Sequence, residues 1–305
     1  MPTRPLSTFA CTVTPFDEEG RLDQGALAWL LDRLADAGVG VFLGTASPGE
    51  AHALSLDETE RLYAVAKETV HGRVPVRAMG REPRKAEDFA PLIRIAESVG
   101  LDAMQLYCID LGHGMKPTDA ELERYFRTLL EGMTIPAVIS THFLSTYLVP
   151  LDILQRLLDE YPGIIGINCT SPDLSYLSRV IDLAHGRADV HVGGPQQAVT
   201  ALALGAQGFL SSEAILVPRL CASIIGNYGD GRVDQMSRAF ADLIRFSRIN
   251  VWPSGSVRFT KAVMRVLGLP GWHIRPPFMA LDDAAHERIA KEVRALDIPE
   301  LQPVA

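Results

Sequence analysis

Asn168 stands directly after Gly163-Ile164-Ile165-Gly166-Ile167, a run with the length and β-branched content of a short, fully buried strand. In a parallel α/β barrel the polar residue ending such a strand faces the mouth where ligands bind. The Asn168 amide can hydrogen-bond a ligand carbonyl or carboxylate there, or it can fill space and bond backbone. In Ala137-Val138-Ile139-Ser140-Thr141-His142, alternate residues line one face, so His142 shares its side with Ser140. An imidazole titrates near neutrality, which makes His142 the best general acid or base, against the alternative of a packed or surface histidine. Cys169 is a nucleophile only with a lowered thiol pKa and otherwise a small buried residue. Asp110 and His113, with Cys108 and His142, offer metal-ligand chemistry, but no H-x-H or H-x-x-x-H spacing supports it. No metal and no cofactor are expected. His52, beside Glu50, reads as a loop residue capping the next helix.

The elements that would position these groups alternate regularly. Strand-like runs at 8–13, 40–44, 74–79, 103–107, 135–140, 163–167, 190–192 and 208–211 are separated by segments with helical spacing. Two helices open on capping boxes, Ser55-Leu56-Asp57-Glu58 and Thr118-Asp119-Ala120-Glu121. Eight β–α units predict an α/β fold, a (β/α)8 TIM barrel. The competing doubly wound sheet would carry a Gly-rich turn after its first strand, and residues 13–20 hold none. Beyond Ala214 the strands stop. Helical spacing over 233–251, 257–267 and 282–296 predicts a C-terminal extension. The expected organisation is a barrel over 1–225 with helices over 226–305 packed against it as one structural unit.

Composition narrows the partners. Of 305 residues, 47% are hydrophobic, enough for one large core. The net charge of −8 and the absence of any basic cluster beyond 81–85 argue against nucleic acid. No apolar window approaches a membrane span, and residues 1–7 lack a signal-peptide core. Four scattered cysteines, with no C-x-x-C pair, suggest a reducing cytoplasm.

Several stretches, in order along 8–296, resemble the dihydrodipicolinate synthase / N-acetylneuraminate lyase superfamily. Thr14-Pro15-Phe16 is similar to its first-strand T-P-F. Gly44-Thr45, Gly49-Glu50, Leu54-Ser55 and Glu58 are similar to its G-T-T-G-E…L-S…E, with two residues inserted. The 163–167 run resembles its I-I-G-I-K strand, Gly193-Gly194 with 205–211 its G-G/D…G-A-x-G-x-I-S, and Lys261 its C-terminal helix lysine. The resemblance implies a homodimer or homotetramer that captures a 2-oxo acid on a barrel lysine as an iminium. A tyrosine on the preceding strand would relay protons, and a second would reach in from a neighbouring subunit. It implies that the loop hydroxyls Thr45 and Ser47 help hold a carboxylate, with loop amides approaching the anion. It also implies that Leu210 contacts the 2-oxo acid through its backbone.

The chain departs from that pattern where the chemistry occurs. Asn168 occupies the position of the imine-forming lysine, and an amide nitrogen cannot form an iminium. Ser140 occupies that of the relay tyrosine, and Asp110 and Leu111 fall near the family's paired tyrosines. The arginine expected after the fifth strand is absent from 143–147. Arg81, Arg84 and Lys85 can add positive charge at the rim, offset in part by Glu82. Two functions fit. One is a lyase acting on a small 2-oxo acid or related carbonyl compound, with Asn168, Thr45 and Ser47 holding it and His142 or Ser140 moving protons. Preorganised hydrogen bonds can stabilise an enolate without covalent attachment. The other is an inactive barrel that binds a small carboxylate ligand or a protein partner.

Overall fold

The computed structural model describes residues 4–143, 147–253 and 255–302. Its short apolar runs form eight strands: β1 (Ser7–Cys11), β2 (Gly40–Leu43), β3 (Val76–Ala78), β4 (Ala103–Leu106), β5 (Ala137–His142), β6 (Ile164–Thr170), β7 (Asp189–Gly193) and β8 (Gly208–Ser211). All pair in parallel and in chain order, and β8 pairs back to β1, closing the barrel. The strands lack polar–apolar alternation because one face meets the helices and the other meets the barrel interior.

Helices α1 (Gln24–Asp36), α2 (Leu56–Val70), α3 (Ala86–Val99), α4 (Asp119–Glu131), α5 (Leu151–Glu160), α6 (Leu174–Ala184), α7 (Ala198–Ala203) and α8 (Pro218–Gly229) follow the successive strands. Both capping boxes form: Ser55 and Thr118 accept from the backbone N–H of Glu58 and Glu121, whose carboxylates reach back to the caps. Burial follows the apolar stripe, as in α5, where Ile153, Leu154, Leu157 and Leu158 face inward. Helix α8 is absent from the sequence reading. Gly226 and Gly229 dilute its helical signal, yet Pro218 sits in its first turn, and Cys221, Ile224 and Ile225 make a buried stripe. Helices α9 (Val233–Ser247), α10 (Gly255–Val266) and α11 (Asp283–Arg294) complete the chain. Among the described residues, no helix is long and apolar enough to cross a membrane.

Strand register fixes which side chains face the axis, because paired residues of parallel strands share a side. Ser140 pairs with Asn168, and Asn168 pairs with His191. Gln105 pairs with Val138, and Phe42 pairs with both Cys11 and Arg77. Moving by twos toward the carboxyl ends, the same side presents Tyr107, His142, Thr170 and Leu210. The alternate set faces the helices: the Thr141 hydroxyl meets the Tyr176 hydroxyl of α6 at 2.8 Å. Cys169 belongs to that outward set.

Deeper along the axis, the Arg77 guanidinium lies 4.4 Å over the Phe9 ring. The fully buried His191 meets the Ser7 hydroxyl through Nε2 at 2.8 Å. Its ring also meets Phe9 edge-on, with centroids 5.1 Å apart.

Candidate functional site

The carboxyl ends of the strands surround a cavity of about 420 Å³. Its floor is built from the inward-facing set. Asn168 Nδ2 donates to Gln105 Oε1, a bond between β6 and β4 across the barrel, and both side chains are buried. This leaves Asn168 Oδ1 buried with no partner among the described residues. A buried acceptor without a donor is costly, and at a cavity wall it is the place where a ligand hydroxyl or N–H compensates.

Tyr107, two residues beyond Gln105, also lines the cavity. Its backbone carbonyl accepts from the Tyr125 hydroxyl at 2.8 Å, and its own hydroxyl points at Met79 Sδ at 3.4 Å. Burial holds the phenol well above its ordinary range, with the Glu82 charge adding; bonds from the Ala46 backbone and the Gln105 side chain oppose this. Tyr107 therefore serves at neutral pH as a hydroxyl, not a phenolate.

Of the residues singled out in the sequence, Asn168, Ser140, His142, Ser47 and Leu210 all line this one cavity. His142 ends β5 with its ring stacked on Phe143, and burial lowers its pKa, so the imidazole is neutral at pH 7 and able to accept a proton. The Ser47 hydroxyl is engaged with that of Ser256 at the start of α10. The Leu210 carbonyl accepts from Gly194 N–H at 2.8 Å.

Thr45 behaves differently. It is fully buried and does not line the cavity. Its hydroxyl oxygen accepts from Gly49 N–H at 2.7 Å and donates to Thr12 O at 3.3 Å, so it shapes the loop from within. Gly49 is required by that fold, because a Cβ there would lie 2.6 Å from Thr45 N. It is Ser47, two residues further on, that reaches the cavity wall.

The remaining candidates lie elsewhere. Cys169 faces the helix layer, and burial pushes its thiol up to about 12, which removes it as a nucleophile. Cys108 is buried, with its thiol toward Ser140 O at 3.3 Å, and burial pushes it likewise to about 12. Asp110 accepts from Gly112 N–H at 2.8 Å within an exposed turn, and His52 packs edge-on against Phe278. Among the described residues, no group of His, Cys, Asp and Glu could hold a metal ion. Arg81, Arg84 and Lys85 do not line the cavity. Residues 144–146, within the stretch lacking the family arginine, fall outside the described residues.

The chain has five lysines, at 67, 85, 116, 261 and 291, and none lines the cavity. Four are exposed. The fifth, Lys261 on α10, donates to the Glu50 carboxylate and to His273 O, with its ammonium 4.4 Å over the Phe16 ring. Burial pulls its pKa down to about 8 against the opposing pull of Glu50. A lowered lysine pKa suits imine chemistry. This amine, however, is wholly enclosed and already bonded.

Sequence reasoning missed Gln105, Tyr107, Thr170 and Glu213, all of which line the cavity, and named Glu82, which also lines it, only as a rim charge. Gln105, Tyr107 and Thr170 were reachable by the parity argument that placed His142. Glu82 and Glu213 sit beyond strand ends, where parity no longer applies.

Comparison with known proteins agrees with this architecture. The chain is 26% identical to the 4-hydroxy-tetrahydrodipicolinate synthase of Pelobacter propionicus over 283 residues, which cover 93% of this chain and 96% of that one. It is 27% identical to an uncharacterised DapA-like lyase of Pyrococcus abyssi, at the same coverage. The fold superposes on YagE, a prophage protein of the dihydrodipicolinic acid synthase family from E. coli K12 solved with pyruvate. That match has a TM-score of 0.88 and 24% identity, covering 96% of this chain and 99% of that one. The model of the dihydrodipicolinate synthetase family matches residues 5–296, and the chain belongs to that family.

Proposed function

We propose that this barrel acts on a small 2-oxo acid or related carbonyl compound by hydrogen bonding alone, as a lyase that forms no imine with a lysine. The observation that carries this reading is the Asn168 amide at the inward end of β6, its Oδ1 unpartnered, in a cavity that none of the five lysines reaches. A carbonyl oxygen cannot satisfy Oδ1, but the O–H of an enol, a hydrated ketone or a 2-hydroxy acid can. Neutral Tyr107 and the Ser140 hydroxyl provide donors from the adjacent wall. His142, uncharged at pH 7, is the group suited to take a proton from the carbon next to a carbonyl. Bonds fixed before the ligand arrives stabilise a developing enolate without reorganisation.

A second reading, a barrel that binds such a ligand without turning it over, draws support from one observation. Tyr107 is held protonated by burial and cannot act as a base near neutrality, which leaves proton transfer to His142 and to Glu82, whose carboxyl burial pushes up in pKa. A thermal-shift screen of 2-oxo and 2-hydroxy acids, followed by turnover assays on every hit, separates the two. The lyase reading expects a raised melting temperature and product for at least one compound. A hit with no product favours the binder, and a 2-oxo acid trapped on a lysine by borohydride overturns both.

A further inference from the structure

The amino ends of the strands enclose a second polar group, which the proposed reaction does not use. Arg77 of β3 is 6% exposed and His191 of β7 not at all. These two strands lie on opposite sides of the closed barrel, and Arg77 crosses between them. Its Nη2 comes within 3.7 Å of Oδ2 of Asp189, which stands two residues before His191 on the same side of β7. The guanidinium lies over the Phe9 ring that His191 meets edge-on, and 5.7 Å from the centre of the Phe42 ring. Asp189 Oδ1, meanwhile, accepts from Arg4 Nη1 at 3.1 Å. Two guanidinium groups thus share one carboxylate. The other carboxylate that acts on Arg77, Asp102, accepts from Val76 N–H at 2.7 Å and pairs with Lys67 at 3.6 Å. Positive charge is left over in a buried setting.

The hydrogen bonds have the same bias. Arg77 Nε and Nη1 and His191 Nδ1 are buried without a partner among the described residues. The guanidinium nitrogens can only donate. Burial and the Arg77 charge keep the imidazole neutral, so it carries one proton. With the Ser7 hydroxyl donating to Nε2 across their 2.8 Å contact, that proton sits on Nδ1 and makes a third donor. We infer that a small monovalent anion of the halide class binds at the foot of the barrel, between Arg77 and His191. Nε and Nη1 diverge around the planar guanidinium, so the anion takes one of them together with His191 Nδ1, and a water takes the other. Water alone would accept hydrogen bonds but leave the charge uncompensated in a low-dielectric interior. A monatomic anion brings no further polar atoms that would need partners against the Phe9 and Phe42 rings. Arg4 and Asp189, with side chains 32% and 14% exposed, open the site to solvent.

The test exchanges sodium chloride for sodium gluconate at constant ionic strength and reads unfolding in urea. Binding at one site of the folded chain raises the folded-to-unfolded ratio about tenfold for each tenfold rise in chloride above its dissociation constant. Wild type is expected to follow that dependence with chloride and with bromide. Arg77→Met removes both the donors and the charge and should lose it. Asp189→Asn removes the competing carboxylate and should bind chloride severalfold more tightly. Crystals of the wild type grown in bromide are expected to show anomalous scattering beside Arg77 and His191, and that peak decides the matter if Arg77→Met does not fold. Chloride acting no differently from gluconate overturns the inference, as does a dependence that persists in Arg77→Met. Weaker binding by Asp189→Asn, or water without an anomalous scatterer at the foot of the barrel, overturns it equally. None of these outcomes bears on the proposed reaction, whose residues lie at the other end of the strands.

Discussion

Lys261 of α10 donates to the Glu50 carboxylate at the end of the 44–50 loop, and neither side chain is exposed to solvent. The other Glu50 oxygen accepts from Arg275 N–H at 3.0 Å, and Arg275 spans Glu58 at the start of α2. A C-terminal helix thereby fixes the loop that places Ser47 at the cavity wall. The lysine that the family resemblance located is a fastener, not a reactive amine. Removing one member of a buried pair strands the other's charge. Lys261→Met is therefore expected to cost about 3–5 kcal/mol in urea denaturation, and the double variant Glu50→Gln/Lys261→Met to recover most of it. Equal losses in the single and double variants would show that the pair is not coupled.

Position 168 permits a direct test of the proposal that no lysine of this barrel forms an imine. Wild-type protein treated with pyruvate and borohydride is expected to show no added mass. It is also expected to give no turnover with pyruvate plus aspartate semialdehyde. Asn168→Lys projects an amine into the cavity beside Gln105, in surroundings that favour its neutral form, and should gain the reduced pyruvate adduct. Turnover should remain absent, because Ser140 still stands where the family resemblance implies a proton-relaying tyrosine. Intact-mass measurement decides the first point, and an adduct on the native protein would refute it.

The barrel was legible because its cause is local. Eight apolar runs separated by helical periodicity, and two capping boxes that form as written, leave few other folds. The candidate site was legible only along strands. Parity placed Ser140, His142 and Asn168 on one face, and register confirms that they share it. The setting of Thr45 was not legible, because a hydroxyl's partner depends on how the loop closes, and here Gly49 N–H donates to it. Glu213 was invisible because the α9 serine that holds it lies 34 positions along the chain. Such contacts come from tertiary packing, which periodicity does not encode.

The amide pair on the cavity floor predicts an unusual order of stabilities. Asn168→Leu removes one orphaned acceptor, Asn168 Oδ1, and creates another at Gln105 Oε1, so its stability should stay within about 1 kcal/mol of wild type. Gln105→Leu leaves both polar atoms of Asn168 unpaired and strips a bond from Tyr107, for a loss of about 1–3 kcal/mol. The double variant leaves no orphan on the floor and should equal or exceed wild type, while losing ligand binding. That order, read from urea midpoints, would identify the pair as kept for function at a cost in stability. A double variant less stable than either single one would contradict it.

Acid stability provides the last test, through His191. Burial, with the Arg77 charge adding, pushes this imidazole down to about 3, whereas in the unfolded chain it titrates near 6.5. Between those values the unfolded chain holds a proton that the folded one excludes. Its contribution is complete above about pH 6.5 and is lost as pH falls toward 3, at about 1.4 kcal/mol per pH unit. From pH 7 to pH 5 that amounts to about 2 kcal/mol, in a range where most carboxylates remain ionised. His191→Gln keeps a partner for Ser7 but cannot take up the proton. Its unfolding free energy should therefore fall by about 2 kcal/mol less than that of wild type over the same interval. Identical pH dependence in the two proteins would mean that His191 is protonated in the folded state.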